Sequence, residues 1–276
     1  MKRIAIITGA TSGVGREFAR QLDGAYYGTI DEMWLVARDA DRLREVSDAL
    51  YAPCRTFALD LCDDRSFTVL ADALSVEKDV RVLWLVNSAG FGFFGDETLA
   101  DPRMMANMVR LNCLAVVQMC ELALPHVTQG SRIVNMVASV AAYLPIPGMG
   151  VYAATKRFVL DVTRVLNDEL AGTGVHACAV CPKAMRTGFW HDTGDAGTRL
   201  GFSLGAEEVF DVVRKAIDAV NAGRGSVITA PDMQLACAVA KALPYGALSR
   251  IGARAMRAAR AGDACATGAT NAADRA

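Results

Sequence analysis

Neither sign of charge dominates this sequence: 29 Lys and Arg stand against 30 Asp and Glu, a formal net charge of -1. No global basic field steers such a chain to nucleic acid or to an anionic membrane, so no nucleic-acid partner is expected. Proline is scarce at 8 of 276 residues, and together with 53% hydrophobic residues this argues against long disordered segments. Long apolar runs are missing at the start. The opening MKRIAIITGA is basic and then apolar, but the run stops at Thr8, too short for a secretory signal. The expectation is a cytoplasmic protein that begins on a strand. The 3 histidines lie far apart, and among the 8 cysteines only Cys178 and Cys181 form a C-x-x-C. That pair sits in VHACAV, a strand-like run in which side chains alternate faces, so the thiols point opposite ways with no second pair nearby. No metal is expected, and the cysteines read as small core residues.

What is present is a rhythm. Apolar runs at 3–8, 33–37, 55–59, 82–86, 132–137, 175–180 and 226–230 alternate with segments of helical period at 40–51, 104–124, 152–171 and 206–222. Strand and helix in repetition predict an α/β fold, a doubly wound parallel sheet of Rossmann type with about seven strands and helices on both faces. The nearly unbroken apolar strands agree, because a parallel sheet is buried on both sides. The length allows one large domain or two small ones, with a sizeable core. Residues 188–205 carry five glycines among aromatics and read as a mobile lid. The expected division is a catalytic domain over 1–231, a helical extension over 232–261 capping the substrate pocket, and a flexible tail over 262–276.

Ligands of such sheets bind at the carboxyl ends of the strands, so those ends carry the chemistry. The first run leads into Thr8-Gly9-Ala10-Thr11-Ser12-Gly13-Val14-Gly15 and then the helical REFARQL. Glycines let backbone approach a pyrophosphate, and free N–H groups at a helix start hold its charge. The spacing alone is weak; a strand before and a helix after strengthen it. Gly90-Phe91-Gly92-Phe93-Phe94-Gly95 also matches G-x-G-x-x-G, but DETLADP follows, so it reads as the wall of a binding site. The second run ends in Ala37-Arg38-Asp39, where Arg38 suits a 2′-phosphate or is a solvated surface arginine, and Asp39 should point away from its neighbour. Asp60 ends the third run and Asn87-Ser88-Ala89-Gly90 the fourth, residues that can border adenine and ribose or simply make turns. Ser139 ends the fifth. Tyr152 and Lys156 then stand at i, i+4 in GVYAATKRFVLDV, one face and one turn apart. A nearby cation favours phenolate and draws a pKa of about 10 toward working pH, as a general acid/base on an alcohol requires. A core tyrosine with a solvated lysine is the alternative.

Together these residues resemble the short-chain dehydrogenase/reductase family in its single-domain form, over about residues 3–230. The resemblance implies hydride transfer between a nicotinamide cofactor and a carbonyl or alcohol, in a homo-oligomer, with Arg38 favouring NADP(H) over NAD(H). On that likeness Thr8, Gly9, Ser12, Gly13, Val14 and Gly15 form the cofactor turn, and Asp60 with Leu61 meets the adenine. Asn87, Ala89 and Gly90 occupy the family's N-N-A-G, here varied to Asn-Ser. Ser139, Tyr152 and Lys156 fall on the catalytic triad. Asn112 falls on the helix asparagine that completes a proton relay through a bound water. Pro182 and Thr187 match P-G-x-x-x-T, which contacts the nicotinamide; Lys183 replaces its glycine and puts the loop conformation in question. Tyr152 would protonate the substrate oxygen, Ser139 would hold it, and Lys156 would bind the ribose and lower the Tyr152 pKa.

Candidate walls are Phe91, Phe93, Leu144, Ile146, Met149, Phe189 and Trp190, nearly all apolar, which suits a lipophilic small molecule: a ketone or aldehyde, steroid-like or acyl-chain. The tail is similar to that of a subset of the family that includes proteins like the D-alanine-transfer operon dehydrogenase. In it Arg250, Arg254 and Arg257 stand opposite Leu248, Ile251 and Ala255. A helix capping the pocket is the simpler reading, a membrane-surface helix the other. A catalytically silent NADP(H)-binding sensor is the competing function, which loss of Tyr152 or Lys156 would have favoured.

Overall fold

The computed structural model describes residues 1–77, 79–95, 100–136, 138–144, 148–185, 205–244, 246–250 and 253–254. Seven parallel strands form one sheet in the order β3-β2-β1-β4-β5-β6-β7. They are β1 Lys2–Thr8, β2 Glu32–Ala37, β3 Cys54–Ala58, β4 Val80–Asn87, β5 Arg132–Asn135, β6 His176–Cys181 and β7 Ser226–Ile228. Each falls within a residue or two of an apolar run in the sequence. The reason is two-sided burial: Ile4 and Ile6 of β1 enter one core while Ala5 and Ile7 enter the other. Cys178 and Cys181 likewise go to opposite cores.

One face is covered by α3 Arg65–Ser75, α5 Ala115–Ala123 and α6 Gly150–Glu169, the other by α1 Gly13–Ala25, α2 Ala40–Asp48 and α7 Val209–Asn221. Each large apolar side chain these helices bury fully, such as Phe18, Leu22, Leu43 and Leu160, stabilises the fold by about 1.5–3 kcal/mol. A last helix, α8 Pro231–Ala242, buries Cys237 in the first of these cores. The segment expected as one helix over 104–124 is instead α4 Pro102–Val109, a π-helical turn Arg110–Leu114 and α5. Asp101 caps α4 by accepting from the Arg103 N–H, and Pro102 fits its first turn. The π-turn adds one residue to the helical circuit, which hydrophobic period cannot reveal. Pro102–His126 is long and apolar enough to cross a membrane, but Ala115, Met119 and Ala123 pack it into the sheet's core.

Strand order reverses between β1 and β4. Connections there leave to opposite faces, so the carboxyl ends of these two strands open a crevice.

Candidate active site

A cavity of about 950 Å³ runs along those carboxyl ends from β2 and β3 to α8. At the end of β1 the backbone turns at Gly9 (φ 66°) and Gly13 (φ 45°), left-handed angles that favour glycine. A Cβ at Gly9 would stand 2.9 Å from the Ala89 nitrogen, and one at Gly15 would overlap the Gly9 carbonyl and the Ser88 hydroxyl. Ser12 precedes α1 but gives its first turn no side-chain hydrogen bond, and no acidic residue sits there. Gly9, Ser12, Gly13 and Val14 line the cavity, so a row of backbone dipoles at a helix start faces it. This cradle fits a dinucleotide phosphate.

Thr8 and Gly15 do not face the cavity; they shape it from behind. The Thr8 hydroxyl accepts from the Ser88 and Ala89 N–H groups, each at 3.1 Å, and the Ser88 hydroxyl donates to the Thr8 carbonyl. The two loops that flank the crevice are thereby fastened to each other. Asn87 also lies behind the wall, with Ala89 and Gly90 on it. Its Nδ2 donates to Asn135 Oδ1 (2.9 Å), and Asn135 Nδ2 donates to Thr163 Oγ1 (2.8 Å), a buried polar chain joining β4, β5 and α6.

At the rim, Arg38 lines the cavity and is exposed. Asp39 is occupied elsewhere: its Oδ1 accepts from the Asp41 and Arg42 N–H groups and caps α2. Arg42 also lines the cavity, its Nε 3.6 Å from Asp39 Oδ2, a second cation that sequence reasoning missed because its place on the first turn of α2 is conformational. Asp60 and Leu61 line the same end.

Ser139, Tyr152 and Lys156 meet at the other end. The Ser139 hydroxyl accepts from the Ala141 N–H (3.2 Å) and lies within reach of the Pro182 carbonyl (3.4 Å), while a hydrogen bond joins it to Tyr152. Lys156 Nζ stands 4.8 Å from the centre of the Tyr152 ring. Burial pushes the phenol up to about 12, with the Ser139 bond pulling the other way, and burial brings the Lys156 ammonium down to about 7. The expected fall of the Tyr152 pKa is therefore reversed in this state, because desolvation disfavours the charged form of each group.

Asn112, in the π-turn, is fully buried. Its amide accepts from the Phe91 N–H and donates to the Phe91 carbonyl and to Thr155 Oγ1, which in turn donates to the Tyr152 carbonyl. Both side-chain donors are committed, so the Asn112 side chain ties the β4 loop to the backbone of Tyr152.

Phe91, Leu144 and Met149 line the cavity as expected, alongside the charged and polar Asp101, Arg103 and Asn107. Phe93 does not: its ring folds over Gly95, and Phe94 takes the place on the wall. Met104, Leu111, Val140 and Met233 also line it and carried no sequence signal, since each comes from a helix or turn whose facing depends on packing. Pro182 and Lys183 line the cavity; Lys183 is outside the left-handed region, so the missing glycine imposes no strain. Thr187, Phe189, Trp190 and Ile146 lie outside the described residues, as do most of the expected lid and Ile251, Ala255 and Arg257 of the tail.

Residues 3–197 match the short chain dehydrogenase family. Sulfoacetaldehyde reductase 2 of Chromohalobacter salexigens is 35% identical over 229 residues, which cover 77% of this chain and 87% of that protein. Two solved structures are each 26% identical. A short-chain dehydrogenase from Sphingobium yanoikuyae in complex with NADPH has a TM-score of 0.71 over 83% of this chain and 87% of its own. A short chain dehydrogenase/reductase from Burkholderia phymatum in complex with NAD has a TM-score of 0.73 over 86% and 92%.

Proposed function

We propose, from the premise that this chain belongs to the short chain dehydrogenase family and is an NAD(P)-dependent oxidoreductase of CH–OH and C=O groups, that its cofactor is NADP(H) and its substrate a lipophilic ketone or aldehyde. The observation that carries the chemistry is the contact of Ser139, Tyr152 and Lys156 at one end of a cavity whose other end is the glycine cradle. A nicotinamide cofactor held by Gly9, Ser12, Gly13, Val14, Asp60, Leu61, Ala89 and Gly90 supplies the hydride, which is the cofactor's chemistry. Tyr152 gives its proton to the substrate oxygen, and its raised pKa keeps the phenol protonated at neutral pH, the state a general acid needs. Ser139 orients that oxygen by hydrogen bond. Lys156, poised near neutrality, stabilises the phenolate left behind.

The cofactor preference is supported by Arg38 and Arg42 at the rim and by the commitment of Asp39 to the α2 cap, which removes the acid a ribose hydroxyl would use. Relatives of this fold bind either nicotinamide, so the rim decides. The lipophilic substrate is supported by Phe91, Phe94, Leu144 and Met149 on the cavity wall. We retain the division into a catalytic domain 1–231, an extension 232–261 that walls the pocket through Met233, and a tail 262–276, as in the D-alanine-transfer operon dehydrogenase-like subset. Free thiols at all seven described cysteines suit a cytoplasmic protein. Exposed Val109, Leu114, Phe158 and Val165 suit a homo-oligomer.

A screen of ketones, aldehydes and alcohols followed by NADPH absorbance tests the reading. Turnover of apolar carbonyls with NADPH is the expected result; turnover of only short charged aldehydes would overturn the substrate class, and equal affinity for NADPH and NADH would overturn the cofactor.

A further inference from the structure

The loop after β6 is held at two levels. Beneath it, the Glu207 carboxylate accepts from the Lys183 N–H (3.1 Å) and from the Thr229 hydroxyl (2.7 Å), and Lys215 Nζ lies 3.8 Å away. Above it, Lys183 Nζ stands 3.0 Å from Asp232 Oδ2, in the first turn of α8. The Lys183 side chain is largely buried at 17% exposure and Asp232 is open at 58%. On its other side the same loop offers the Pro182 carbonyl to Ser139. The residue after Asp232 is Met233, which lines the cavity and packs on the sheet's core. Position 183 thus connects the chemical end of the cavity to the helix that closes it.

We infer that Met233 is a specificity-determining residue at the substrate end of the cavity, and that Lys183 and Asp232 are the positioning pair that seats it there. The inference rests on the reductase reading, because it assigns that end of the cavity to the carbonyl substrate. Two features make the pair more than a surface ion pair. Lysine stands where the resembling motif has glycine, so the charge is a departure of this chain rather than a demand of the turn. And pairing Lys183 with Asp232 offsets the charge of a lysine that lines the cavity, which favours an apolar substrate. An unbranched Met side chain suits this place, since it adapts to ligands of different outline.

The test compares wild type, Asp232→Asn, Asp232→Glu and Met233→Ala on a series of ketones graded in bulk. The shift in kcat/KM ratio between small and bulky members should be about tenfold toward bulky ones in Met233→Ala, the size of a lost methylene contact. Asp232→Asn should raise KM several-fold with kcat and NADPH affinity within about twofold, Asp232→Glu should restore KM, and added salt should raise the KM of wild type and Asp232→Glu but not of Asp232→Asn. Amide hydrogen exchange across 231–242 should rise in Asp232→Asn. Unchanged ratios in Met233→Ala would overturn the specificity role, and unchanged exchange and KM in Asp232→Asn would overturn the pair, both with the reductase reading intact. A wild type that turns over no carbonyl would defeat that reading and the specificity role with it, while exchange would still judge the pair.

Discussion

The cavity's end at β1 and its end at β5 and α6 are made of different material. At β1 the groups presented are backbone: glycines at left-handed angles, a helix start with no side-chain cap, and a loop fastened from behind by Thr8. At β5 and α6 they are side chains, a half-buried hydroxyl hydrogen-bonded to a buried phenol, with a buried ammonium over its ring. The first end is shaped by space, and a side chain at Gly9 or Gly15 is an obstruction. The second is shaped by desolvation, which moves both titrating groups away from charge. Binding and chemistry should therefore respond to separate substitutions.

The sharpest separation is Tyr152→Phe. It should lower kcat by about 10²- to 10⁴-fold, the worth of general acid/base catalysis, with NADPH affinity unchanged by fluorescence titration. Near-normal turnover would end the mechanism. The converse is Gly15→Ala, whose methyl meets the Gly9 carbonyl and Ser88. Overpacking of about 1–3 kcal/mol predicts a loss of about 5- to 150-fold in cofactor affinity, with Tyr152 left in place. Equal affinity in that variant would show that the turn yields freely and is no cradle.

A smaller effect is expected at the rim. NADPH should bind at least about tenfold tighter than NADH, and Arg38→Ala should remove most of the difference, since a charge-assisted bond to phosphate is worth about 1.5–3 kcal/mol. If the preference survives, Arg42 rather than Arg38 reads the phosphate. The smallest concerns stability without cofactor. A lysine whose folded pKa is depressed costs stability while protonated, so the cost is full below about pH 7 and shrinks toward its ordinary 10.5. Wild type should gain up to about 1.4 kcal/mol per pH unit from about pH 7 toward about pH 8 in urea melts, and Lys156→Met should lack that gain. Above pH 9 the trend should reverse, because Cys120, Cys178 and Cys181, pushed up to about 12 by burial, ionise only when unfolded.

The sheet was legible in the sequence because its five inner strands are apolar on both faces, and the glycine turn and the Tyr152–Lys156 spacing were legible because both are local. What escaped was non-local. Thr8 looked like part of a cofactor turn, yet its hydroxyl belongs to a loop 80 residues away. Phe93 and Phe94 are neighbours of equal character, and only packing over Gly95 decides which meets the cavity. The Tyr152 pKa was judged from its nearest charge, whereas the degree of burial, which no spacing encodes, sets its direction.

The fastening of Thr8 to Ser88 and Ala89 also orders events during synthesis. At about 5–20 residues per second, roughly 4–16 s separate the emergence of Thr8 from that of its partners. Through that interval β1, α1 and β2 can assemble, but the turn at Gly9 has only one of its two walls. The crevice at that turn has both walls only once β4 stands beside β1.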